Sequence, residues 1–323
     1  MINKIRSKYI LKAISSYLDT RFYLELFKYN KKLKKRLDLT KKDYKLYNQI
    51  EIDLIPMKLE KRGKNTIVNY YYDEKQFYHI YIDDKELKKR NYFKMKDNAK
   101  RIKVLIDMEI KSLKRLFAGC NYIKEINFVK FNRKNILDMS YMFQGCENLI
   151  NINLVKVKTN NVVRMNYMFS TCSKLTQLDV SNFDTSNVET MEGMFHSCTS
   201  LGRLNLSNFN TSKVTNMSNM FCFCRALTEL DISNFNTAKV NEMNAMFYNC
   251  ALLTSLNVSS FNTGHVYNMT HMFSYCYNLI DIDISNFYID DNTIIKNMFS
   301  KCQVELKDKI KMQNNKIKDE VFR

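Results

Sequence analysis

Apolar positions between residues 117 and 302 return at a fixed interval of 26. Cysteine stands at Cys120, Cys146, Cys172, Cys198, Cys224, Cys250, Cys276 and Cys302, and phenylalanine at Phe117, Phe143, Phe169, Phe195, Phe221, Phe247, Phe273 and Phe299. Leu116 precedes the first of these phenylalanines and a methionine, from Met142 to Met298, each of the others. A second column runs Phe131, Phe183, Phe209, Phe235, Phe261 and Phe287, with Val157 in its one gap. A constant period in this range, kept without insertion, marks a stacked array. Within the unit 172–198, Leu178 and Val180 alternate at period 2, which predicts a short strand with one buried face. Val188, Met191, Met194, Phe195 and Cys198 then fall at the spacing of one helix face. Ser186 and Glu189 fit a capping box at its start. The expected fold class is an α/β solenoid, with short parallel strands on one face and short helices on the other.

The stretches LTQLDVSNFDTSNVETMEGMFHSC and LGRLNLSNFNTSKVTNMSNMFCFC resemble the BspA-like leucine-rich repeats, the 26-residue repeat family of bacterial surface proteins. The resemblance spans about residues 110–302. It implies a right-handed leucine-rich-repeat coil that binds proteins, often at a cell surface, and it implies no enzymatic activity. The chain shows no signal peptide, no lipid-accepting N-terminal cysteine and no apolar run of about 18 residues, so an intracellular location is expected even though the family is often on the surface.

Charge divides the chain. Of its net +18, residues 1–116 carry 31 basic against 15 acidic side chains, whereas 117–302 carry 14 of each. Four segments are predicted: a basic helical stretch 1–48, a β-rich N-terminal cap 49–101 containing IEIDLI, TIVNYYY and FYHIYI, the repeat 102–302, and a charged tail 303–323. The stretch YILKAISSYLDTRFYLELFKYNKKLKKRL resembles an F-box, which implies an intracellular adaptor linking a repeat-bound target to a second protein. Its positive charge alternatively suits a tether to anionic membrane or nucleic acid.

A strand that buries Leu178 and Val180 turns its odd-numbered neighbours outward. Two columns result on that face: the variable Gln177, Arg203, Glu229, Ser255 and Asp281, and the Asp/Asn column Asp179, Asn205, Asp231, Asn257 and Asp283. These ten residues are the expected partner-binding positions. The Asp/Asn column and the serines beside it are expected to hydrogen-bond between stacked units. An identical cysteine in every unit gives no reason for pairing, and the one CxC, Cys222 and Cys224, lacks metal-ligand spacing, so the thiols are read as buried filler. No phosphate loop, HExxH, GxSxG or CxxC motif occurs. A monomeric protein-binding module is therefore expected, with no catalytic residues, metal or cofactor, and with a protein partner of unknown identity.

Overall fold

The computed structural model describes residues 48–59, 63–87, 90–107 and 109–323, with the isolated positions 35, 45 and 46. Strand β1 (Ile50–Pro56) alternates buried and half-buried residues, as IEIDLIP dictates. It is followed by β2 (Asn65–Thr66), β3 (Tyr78–Ile82), β4 (Lys85–Glu86), β5 (Tyr92–Phe93) and β6 (Ile102–Ile106). Then come β7 (Ile123–Lys130) and β8 (Asn151–Asn153). Six of these form one sheet in the order β4-β3-β6-β1-β7-β8. β1 pairs antiparallel with both β6 and β7, and β7 pairs parallel with β8. The antiparallel cap thus runs edge-on into the first repeat units. Arg133, 2% exposed, ties this junction down by donating to the Asp107 and Ile110 carbonyls.

Beyond β8 the ladder continues only in pairs. β9 (Arg203–Leu204) pairs parallel with β10 (Glu229–Leu230), and β11 (Ser255–Leu256) with β12 (Asp281–Ile282). Gln177 and Leu178 form no strand. The expected α/β leucine-rich-repeat coil with a helical face is overturned. Among the described residues from 112 to 302 there is no helix, β8 is three residues long, and the strands after it are two residues long in separate two-stranded sheets.

The reason lies in the backbone. In each unit, alternate N–H groups point in different directions. Met142, Gln144 and Cys146 donate to the carbonyl three residues back, as in tight turns, while Met139, Tyr141, Phe143 and Gly145 donate to Arg164, Asn166, Met168 and Ser170 of the next unit. An α-helix would spend all these donors internally. Two residues per unit adopt positive φ, for example Tyr141 (60°) and Gly145 (72°), or Asn219 (58°) and Phe223 (61°), as type II turns require at their third position. Most of them are not glycine, so the cross-unit bonds hold a conformation that side chains ordinarily avoid. Isolated parallel bridges mark the same register from Ser112↔Asp138 to Asn268↔Ile294. Val188, Met191, Met194, Phe195 and Cys198 are still fully buried, because successive three-residue turns also return those positions to one side.

Side-chain columns reinforce this ladder. The rings of Phe117 through Phe299 stack at centroid separations of 5.0–5.9 Å, and Phe322 closes the series against Phe299 at 6.0 Å. Thr185, Thr211 and Thr237, each 1% exposed, donate to a carbonyl of the next unit and accept from the N–H of that same residue. Asn182, Asn208, Asn234 and Asn286 reach back to the preceding unit's carbonyls at 2.7–2.9 Å. The cysteines do more than fill space: the thiols from Cys146 to Cys302 each donate to the carbonyl of the phenylalanine 29 residues earlier, at 3.1–3.2 Å. All nine are free.

The stack is closed at its C-terminal end by helix α1 (Val304–Gln313), whose Leu306 and Ile310 are buried. The Gln313 amide donates to Ile282 O and accepts from Ile284 N (both 3.0 Å), standing in for the backbone of a further unit. Phe299 N donates to Val321 O.

Replacing Thr211 with Val keeps its shape but strands both polar groups of Asn236. Urea denaturation should show a loss of about 1–3 kcal/mol, with most of it recovered in Thr211→Ser; equal stability of the Val variant would show that the threonine column is passive.

Burial pushes the Cys146 and Cys198 thiols from 9.0 up to about 12. With folded pKa values raised, their contribution is full below pH 9 and lost as pH rises from 9 through 12. Stability should therefore fall steeply above pH 9, and in Cys198→Ser the fall should be shallower by about 1.4 kcal/mol per pH unit. An unchanged alkaline slope in urea titrations would contradict this.

Candidate functional site

The ladder decides which side chains can meet a partner. With Leu204, Leu230, Leu256 and Ile282 buried on the inner side of the short strands, their neighbours point outward. All ten expected positions are exposed: Gln177, Asp179, Arg203, Asn205, Glu229, Asp231, Ser255, Asn257, Asp281 and Asp283. β9 and β10 set Arg203 beside Glu229, β11 and β12 set Ser255 beside Asp281, and Gln177 and Asp179, which lie in no strand, share a hollow with Arg203 and Asn205. The guanidinium of Arg203 donates to Glu229 Oε1 at 3.2 Å, with both side chains more than 70% exposed. A pair this wet contributes about 0–1 kcal/mol, so it is free to be exchanged for a partner's groups.

The Asp/Asn column behaves differently from expectation. Its carboxylates and amides do not bridge units. Asp179 Oδ1 accepts from Ser181 N (2.9 Å), Asn205 from Ser207 N (3.1 Å), Asp231 from Ser233 N (3.0 Å), Asn257 from Ser259 N (3.0 Å) and Asp283 from Ser285 N (2.9 Å). These are turns two residues long, each closed within its own unit. The serine hydroxyl and N–H hold the Asp179 and Asp231 carboxyls below the usual carboxylate range, and the Ser285 N–H leads the same effect at Asp283. The ionised form of the three aspartates is therefore favoured, while Asn205 and Asn257 between them are neutral. Bonds between units come instead from the threonine, asparagine and cysteine columns.

Where the cap sheet meets this face, a hollow forms between Asp53, Arg101, Glu125, Asn127, Asn153, Gln177 and Asp179. Arg101 donates to Asp53 Oδ2 at 2.8 Å, while Asp53 Oδ1 is buried without a partner. A second, shallower hollow continues along Gln177, Asp179, Arg203, Asn205 and Thr228. Sequence reasoning missed Asp53 and Arg101, because the β1–β7 pairing sets Asp53 beside Asn127 and the β1–β6 pairing brings in Arg101, just before β6. Among the described residues no group of three or more His, Cys, Asp or Glu side chains could hold a metal ion.

The turns of the units carry a half-buried aromatic ribbon that the column pattern also hid. Arg115 sits over Tyr141, which stacks on Tyr167 (5.3 Å), and the series continues through His196, Phe223, Tyr248 and Tyr275. These residues drift from column to column, so no constant interval announces them. Gly193 (φ 55°) lies beneath the Tyr167 ring, where an added Cβ would come within 2.2 Å of ring carbon.

The F-box resemblance and the basic tether both fall on residues 1–48, outside the described residues apart from the positions named above. No described helix is long and apolar enough to cross a membrane.

The geometry defines a protein of stacked 26-residue units, closed at both ends and displaying an outward polar face. The chain belongs to the DUF285 family, described as a Mycoplasma protein of unknown function, which matches residues 111–226 and 202–312. No curated protein and no solved structure matches it.

Exchanging Arg203 and Glu229 for alanine together should leave the melting temperature within about one degree, since exposed pairs contribute little. A large drop on thermal denaturation would mean that the face is structural rather than displayed.

Proposed function

We propose that this chain is a non-enzymatic protein-binding module that recognises its partner on the face formed by the variable column Gln177, Arg203, Glu229, Ser255 and Asp281. The observation that carries this reading is the separation of duties between columns. Buried threonine and cysteine side chains, and the half-buried to exposed asparagines, spend their hydrogen bonds on neighbouring units, while the variable column spends almost none and stays exposed. Repeat arrays bind through such extended surfaces, with the invariant positions supporting the varied ones. The low-lying aspartate column adds a fixed negative charge beside it, which favours a partner carrying basic or amide side chains. The finer resemblance to BspA-like repeats, whose members bind proteins, supports the same reading.

The test is quantitative capture from the native cell with the full chain, compared across variants. Gln177→Ala/Arg203→Ala/Glu229→Ala should lose a defined set of proteins at least tenfold, while Lys213→Ala, on an exposed loop away from this face, retains them. Equal capture by the triple variant would overturn the reading.

A further inference from the structure

The cap carries a second surface, and its chemistry differs from that of the polar face. β2 and β5 pair antiparallel, Asn65 with Phe93 and Thr66 with Tyr92. That pairing brings Lys64, just before β2, near Lys94, just after β5. Lys64 Nζ and Lys94 Nζ lie 5.2 and 5.7 Å from the centre of the Tyr92 ring, with the Arg90 guanidinium at 5.4 Å. Arg90 is neutralised by Asp97 through two bonds of 2.7 and 2.8 Å. Among the described residues no carboxylate pairs with Lys64, Lys94 or Lys96. Three ammonium groups without an ion pair among the described residues therefore share one edge, with Asp97 shared between Arg90 and the nearby charge of Lys96.

Between two of them stands Met95, 42% exposed. With Lys94 it lines two hollows, one completed by Gly63, Lys64 and Lys96, the other by the apolar Met57, Leu59, Phe93 and Ala99 with Lys58 and Asn98. A solvated methionine costs hydration, and here it sits on an apolar floor with a lysine rim. We propose that this edge docks on the anionic phospholipid surface of a bilayer, with Lys64, Lys94 and Lys96 on headgroup phosphates and Met95 entering the acyl boundary. Nucleic acid fits less well. The Tyr92 ring that these lysines surround is already covered by cations and not open to a base, and an exposed thioether gains nothing from a sugar–phosphate backbone. A bilayer rewards both features at once.

The test is co-sedimentation of the full chain with vesicles of phosphatidylcholine alone or mixed with phosphatidylglycerol. Lys64→Gln/Lys94→Gln/Lys96→Gln should weaken binding to the mixed vesicles on the order of 100-fold, from the usual contribution of a lysine at an anionic surface. Met95→Ser should weaken it several-fold, including at high salt, where charge is screened. A charge-matched control on the repeat units, Lys124→Gln/Lys156→Gln/Lys174→Gln, should leave it unchanged. Should the triple variant lose its melting transition, Lys96→Glu alone carries the test at an exposed position and should still weaken binding. Equal losses in the control, or undiminished vesicle binding in the edge variants, would overturn the proposal by assigning attraction to overall charge or to residues 1–48. So would loss of duplex DNA binding in the triple variant with vesicle binding intact.

Discussion

One constraint organises the molecule: in each unit, four alternate backbone N–H groups must find carbonyls in the next unit, while the residues between them turn back on themselves. Each such unit is too short to satisfy itself. Positive φ at two positions, the loss of any helix and the return of the same side chains every 26 residues all follow from that division of donors. Aromatic stacking and thiol bonding then operate on a spacing that the backbone has already set. Because neighbouring units supply one another's partners, the ends need substitutes, and β1 at one end and Gln313 with Val321 at the other provide them.

Much of the interior was legible from the chain alone. Which residues are buried followed from the columns, since Phe, Met and Cys at one interval leave few other arrangements. Secondary structure did not follow, and the failure has a physical cause. Val188, Met191, Met194 and Phe195 are spaced as on a helix, but tight turns closed by an N–H bonding the carbonyl three residues back bury the same positions. The signs that would have separated them, left-handed residues such as Tyr167, Phe223 and Tyr275, carry no marker in sequence because few are glycine. Strand length was similarly invisible at Gln177 and Leu178, whose pattern matches that of units that do pair.

The outward face was legible in position but not in chemistry. The variable column is exposed throughout, yet the Asp/Asn column proved to close local turns instead of joining units. Asp53 and Arg101 could not be placed near Gln177 without the β1–β7 and β1–β6 registers, and Lys64 could not be placed near Lys94 without β2–β5. Long-range antiparallel pairing has no period to betray it. Exposed and spent polar groups thus look alike in a sequence, and only their partners tell them apart.

The direction of the ladder has an electrical consequence. Four N–H bonds per unit point toward the C-terminal neighbour, as from Phe195 to Met220, and on the turn side only one points back, as from Thr215 to Glu189. Their peptide dipoles therefore add along the stack rather than cancel, as they do along a helix axis. The sense is the reverse of a helix: partial positive charge gathers at the C-terminal end of the array. There the chain sets Asp319 and Glu320, whose backbone segment receives the last N–H groups, against a pole that attracts negative charge.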